Sequence, residues 1–112
     1  MAPGEHDRLL AFISHLPQLT VSALMSVVGT AAGRDRLPLC GPGLVDSTRL
    51  ASSPSEIWKD VCATNAGEIA AALDALIARL QDVRQDLESG RTVDQVFESA
   101  NAWRERLVAG RS

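Results

Sequence analysis

Residues 5–28, EHDRLLAFISHLPQLTVSALMSVV, decide the fold. Leu9, Leu10, Phe12, Ile13, Leu16, Leu19, Val21, Leu24, Val27 and Val28 cover most of a helical circumference. The segment therefore predicts a helix from Glu5 to Val28, central in the fold and covered by neighbours on several sides. It opens after the Pro3-Gly4 break, and Gly29 and Gly33 are its stop signals. One stripe is polar: Arg8, His15, Gln18, Ser22 and Ser26 are spaced 7, 3, 4 and 4 apart and share a face. Pro17 stands two residues after His15. A proline in a helix interior removes one backbone hydrogen bond, clashes with the preceding turn and costs about 3 kcal/mol. The carbonyl it orphans is that of Ile13. A kink is expected there, serving either packing or the display of a polar group.

Working outward, residues 30–45 (TAAGRDRLPLCGPGLV) are rich in Gly, Pro, Arg and Asp and read as a 16-residue loop, with Cys40 to Gly43 a turn. Asp46 can cap a short helix carrying Thr48, Arg49 and Leu50. Ser53-Pro54-Ser55-Glu56 has the form of a helix start, with Ser as cap, Pro first and Glu three residues after the cap. The short helix it opens carries Ile57, Trp58 and Val61. Asn65 to Glu68 repeats the pattern and opens a long helix to Ser89, stopped by Gly90. In it Ile69, Leu73, Leu76, Leu80, Val83 and Leu87 step by 4, 3, 4, 3 and 4, a heptad seam. Thr92 to Gln95 reads as a third capping box, before a last helix bearing Val93, Val96, Phe97, Ala100, Trp103 and Leu107. The fold class is all-α, with a kinked central helix and a long heptad helix. The seam is longer than one short partner helix requires, so it fits either internal packing or a homodimer.

Composition agrees. The 112 residues suit one domain, are 46% apolar and 22% charged, and include four aromatics, with no Tyr. A net charge of −3 argues against a general nucleic-acid or anionic-membrane surface. The most apolar run, Leu16 to Val28, is 13 residues with four polar interruptions, too short for a bilayer. Cys40 and Cys62 lack CxxC spacing and no signal peptide precedes them, so free thiols and a cytoplasmic location are expected. There is no metal-ligand cluster, no Gly-rich strand-turn-helix for a dinucleotide and no nucleophile elbow. What remains is His15 with its polar stripe, and Arg49, whose planar guanidinium suits a carboxylate. Each also has a plain structural reading: a core histidine, and a surface cation paired with Asp46 or Glu56. Trp58 suits core or ligand wall.

Together these residues carry a resemblance. His6-Asp7-Arg8, then Ile13 to Pro17 (ISHLP), then G-x-x-D-x-T-R-x-A-x-S from Gly43 to Ser53, are followed by Trp58, nine residues after the Arg, and Asn65, seven further on. This set resembles the C-terminal helical domain of prephenate dehydrogenase, a fold like the C-terminal domain of 6-phosphogluconate dehydrogenase, over essentially the whole chain. The resemblance implies a homodimer through the helical domain and a partner NAD(P)-binding Rossmann domain, supplied in cis or trans and absent from residues 1–112. It implies that NAD or NADP is bound by that domain and not by this chain, which also holds no metal and no catalytic residue. Prephenate or arogenate is the implied substrate, oxidised and decarboxylated in tyrosine biosynthesis, prephenate giving 4-hydroxyphenylpyruvate. Substrate-binding positions carried over are Arg49, for a carboxylate, and His15, Trp58, Gln18 and Gly43. By this account Pro17 bends the helix so that His15 and its stripe face the substrate cleft. Three positions depart from the family pattern. Gln18 stands where a second His is common, Gly41-Pro42-Gly43 replaces three glycines, and Pro54 lies one position early. Two other readings remain: a stand-alone, non-catalytic helical dimer binding an aromatic acid for regulation, and a small helical enzyme of the chorismate mutase kind. The latter needs converging cations, whereas Arg79 and Arg84 lie five apart and Lys59 is the only lysine.

Overall fold

The computed structural model describes residues 1–111, and among these every regular element is helical. Six α-helices follow one another: α1 (Pro3–Leu10), α2 (Leu16–Ala32), α3 (Pro42–Ser47), α4 (Ser55–Thr64), α5 (Ala66–Gln85) and α6 (Arg91–Arg111). A π-helical turn, Ala11–His15, joins α1 to α2, and 3₁₀ turns occupy Leu37–Leu39 and Arg49–Ser52. The all-α expectation is met.

The first helix differs from its sequence reading in a way Pro17 explains. Pro3–Ala32 is one continuous helix of 30 residues, with the wide turn set into it just before Pro17. Within it the N–H of Leu16 donates to the carbonyl of Ala11, five residues back. The ladder shifts register just before the residue that has no N–H to give. The extra residue also re-phases everything upstream by about 100°. Arg8 lies over the Phe12 ring, 5.6 Å from its centroid. Gly29 does not stop the helix; Gly33 does, at φ +78°. At 30 residues this helix has the length and apolarity of a membrane span, a match that the 13-residue run did not show. A helix that packs a protein core meets the same test.

The chain groups into two compact units, Met1–Leu73 and Asp74–Ser112, with the division inside α5. The first has a small core: Ala11, Ile69 and Ala72 are buried, and Phe12, Leu16, Leu19, Val61, Cys62 and Leu73 pack on them. The middle of the long helix thus meets α4 and the first turns of α5. The predicted all-round cover of that helix is not provided within the chain, since Ile13, Leu24 and Val27 stay exposed. Cys40 is exposed, Cys62 is half-buried, and both are free.

In the second unit the heptad seam loses its cover. Leu76 and Val83 are half-buried, but Leu80 and Leu87 are exposed. On α6, Phe97 is 64% exposed, Trp103 68% and Leu107 54%. The long helix ends at Gln85 rather than Ser89, because the Asp86 carboxylate turns toward Ser89 and Thr92. It accepts hydrogen bonds from Ser89 Oγ, Thr92 Oγ1 and the Thr92 N–H. Thr92 is therefore a capped residue inside α6, not its cap. The predicted cap Ser53 is likewise spent elsewhere, donating to Gln18, whereas Asn65 precedes α5 as expected, its carbonyl accepting from Ile69 N–H while its Nδ2 donates to the carbonyl of Asp7 at 2.9 Å.

Candidate functional site

All five residues carried by the resemblance lie in the first unit, and they divide into two groups. His15 ends the π turn, half-buried, with its ring 6.1 Å from the Trp58 indole in an edge-to-face arrangement. Its Nδ1 is buried and has no hydrogen-bond partner among the described residues. Beside it is a recess of about 400 Å³ walled by Leu10, Ile57, Val61, Asp7, Asp60, Thr64 and Asn65. The Asn65 bond to Asp7 draws the end of α4 to α1 and so holds this recess together.

Arg49 belongs to the second group. The expected turn at Gly41-Pro42-Gly43 is instead the start of α3, with Gly41 as its cap and Pro42 at its first position, where a missing N–H costs nothing. Asp46 lies inside α3 and is not a cap. Gly43 sits in the first turn, exposed, with open space where a side chain would be. Thr48, nearly buried, closes α3 by donating from Oγ1 to the Leu44 carbonyl at 2.6 Å. The chain then makes the 3₁₀ turn that carries Arg49. Its side chain is 81% exposed and has one ion pair among the described residues, 3.8 Å from Asp46. Pairs this open contribute about 0–1 kcal/mol, so the guanidinium is free to exchange partners. It stands on the wall of a recess of about 490 Å³ whose other walls are mainly apolar: Met25, Leu37, Cys40, Leu44, Val45 and Ala51, with Thr48 and Ser52.

Gln18 connects the groups. One turn beyond His15, it is 5% exposed, and its amide donates to the Leu50 carbonyl at 2.7 Å and to Ser22 Oγ at 3.1 Å. Its oxygen accepts from Ser53 Oγ at 3.3 Å. The lower part of the polar stripe therefore faces the Arg49 turn. The sequence reading overlooked the walls of the Arg49 recess, since Met25, Leu37, Cys40 and Leu44 come from segments read as helix interior or loop. The one signal was the Leu44–Thr48 spacing of four.

A dinucleotide's pyrophosphate is ordinarily seated at a Gly-rich turn between strand and helix. Among the described residues there is no strand, and the glycines at 41 and 43 open a six-residue helix. These residues do not fit that cofactor, and no hydride step is assigned to them.

The first unit is thus all-helical, with a guanidinium on the wall of a mainly apolar recess. The chain belongs to the prephenate dehydrogenase dimerization-domain family, whose model matches residues 2–100. It is 32% identical over 92 residues to cyclohexadienyl dehydrogenase of Zymomonas mobilis, covering 80% of this chain and 31% of that protein. It is 29% identical over 113 positions to prephenate dehydrogenase of Bacillus subtilis, covering 96% of this chain and 30% of the relative. The chain thus spans about a third of the length of the curated relatives it matches. Its fold superimposes with a TM-score of 0.84 on prephenate dehydrogenase from A. aeolicus, solved in complex with hydroxyphenyl propionate and NAD+. That match covers 96% of this chain and 39% of the other at 22% identity, a likeness of fold.

Proposed function

We propose that the chain is the substrate-binding and dimerization part of a prephenate or arogenate dehydrogenase, acting with an NAD(P)-binding Rossmann domain. The observation that carries this reading is the placement of Arg49. A guanidinium held only by a weak surface pair, on the wall of an otherwise apolar recess, suits a carboxylate borne on a hydrocarbon ring. The recess volume of about 490 Å³ is of the size small-molecule sites have. His15, edge-to-face with Trp58, stands on a second recess, and its buried Nδ1 is unpaired among the described residues. The chemistry, oxidation with loss of the ring carboxylate as CO2, belongs to the dinucleotide and its domain. The part of this chain is to hold the dicarboxylate in one orientation.

The exposed apolar residues of α5 and α6 are the dimer face, covered by a second copy. The A. aeolicus relative was solved with a hydroxyphenyl carboxylic acid, the kind of molecule an apolar recess with one guanidinium accepts.

The test is a prephenate titration of the unsubstituted chain and of Arg49→Ala. Loss of a charge-assisted hydrogen bond costs about 1.5–3 kcal/mol, so binding should weaken by at least roughly tenfold. Equal affinities would remove Arg49 from the site. Binding without turnover after a Rossmann partner is supplied would favour a regulatory module instead.

A further inference from the structure

We propose that Gln18 is a positioning residue: it fixes the 3₁₀ turn that aims Arg49, and it makes no contact with the substrate. The inference rests on the reading of Arg49 as the carboxylate-holding group.

Among the described residues, the Arg49 side chain has no restraint beyond the exposed pair with Asp46. Its direction is therefore set by the backbone of Arg49–Ser52. That turn is closed by two backbone bonds, from Ala51 N–H to Thr48 at 2.9 Å and from Ser53 N–H to Leu50 at 3.1 Å. Isolated 3₁₀ turns have poor hydrogen-bond geometry and do not hold their shape unaided. Here two anchors hold it. Below, Thr48 Oγ1 is tied to Leu44. Above, Gln18 grips the turn at two points, donating a hydrogen bond to the Leu50 carbonyl and accepting one from Ser53 Oγ. Leu50, next to Arg49, thereby has both carbonyl lone pairs occupied.

The remaining N–H of the Gln18 amide goes to Ser22, on its own helix, which fixes the side chain before it reaches across. Both donors and an acceptor lone pair are thus committed within the protein. A buried amide with its donors spent has no N–H left for a carboxylate, and withdrawing it would leave the Leu50 carbonyl short of a partner. Only an amide meets these demands, because Glu would set lone pairs against the carbonyl and Met would supply no bond.

The experiment uses the 112-residue chain in five forms: unsubstituted, Gln18→Met, Gln18→Glu, Arg49→Ala and the double variant Gln18→Met with Arg49→Ala. Met preserves length and burial, so the fold survives while the bonds are lost. Two quantities are read, amide hydrogen exchange at Ala51 and Ser53, and prephenate affinity. In Gln18→Met both amides should exchange at least roughly tenfold faster, and binding should weaken by roughly tenfold through misplacement of the guanidinium. Gln18→Glu should do the same or more. The double variant should bind no more weakly than Arg49→Ala alone, because Gln18 acts through Arg49. Additive losses would show a direct substrate contact and overturn the proposal, as would unchanged exchange or unchanged affinity in Gln18→Met. If Arg49→Ala itself binds normally, the proposed function fails and the inference falls with it. That outcome is read in a different variant from the other failures.

Discussion

Asp86 accepts two hydrogen bonds from Thr92, at 3.3 Å from its N–H and 2.9 Å from its Oγ1, and so starts α6 from outside it. Hydrogen bonds from the Ser89 hydroxyl first and from Thr92 second hold the Asp86 carboxyl below the usual carboxylate range. A depressed folded-state pKa stabilises the fold above the unfolded value, and that contribution is lost as pH falls through the folded value. Asp86→Asn should therefore melt below the unsubstituted chain at pH 7, with the gap closing as the solution is acidified below the ordinary carboxylate range. Thermal melts by circular dichroism at several pH values check this; a gap constant with pH would contradict it.

Two glycines at the end of α2 should respond in opposite directions. Gly33 has φ +78° and ψ 162°, a region essentially reserved for glycine, so Gly33→Ala should cost about 1–3 kcal/mol. Gly29 lies within the helix, and an added Cβ would meet only Met25 Cε at 3.9 Å. Gly29→Ala should add up to about 1 kcal/mol of stability. Denaturant midpoints of the two variants decide it.

Ile69 is 4% exposed and is the largest buried apolar residue among those described. Ile69→Ala should cost about 2–4 kcal/mol and lower the melting temperature on the order of 10 °C. Leu80→Ala, on the same seam but exposed, should leave the monomer's melting nearly unchanged.

If a second copy covers the exposed seam and α6, replacing Phe97 and Trp103 by Glu should convert a dimer into a monomer with its helix content retained. Sedimentation velocity at several concentrations measures this. A monomer already in the unsubstituted chain would remove the dimer from the proposed function.

Helix order and the apolar faces could be read from the sequence because period and composition set them directly. The caps could not. Ser53 and Thr92 both stand where a capping residue was expected, yet each uses its side chain on a partner outside the cap, Gln18 and Asp86 respectively. A local motif shows that a hydroxyl or amide is present, while the nearest competing acceptor is set by the fold. The same holds at the site. Arg49 was recognisable from its spacing to Asp46, Trp58 and the glycines, and the pairing of His15 with Trp58 fits the same pattern. That Gln18 turns inward was not, because a polar stripe on a helix reads equally as solvent-facing or as bonded to a neighbouring turn.

The wide turn at Ala11–His15 and Pro17 tolerate each other, and the pairing has a consequence for the length of this segment. In a regular helix the proline ring would press on the carbonyl of Ile13, and the wide turn, with Leu16 N–H bonded to Ala11, breaks the regular ladder around that carbonyl. Removing exposed Ser14 would heal the ladder and restore the clash, whereas Pro17→Ala would free the helix to tighten and rotate α1 relative to α2. Neither change is neutral alone, and made together they compensate. Insertions and deletions between residues 11 and 15 should thus be permitted only in step with the loss or gain of the proline, so that the length of this segment and the identity of position 17 are inherited as one character.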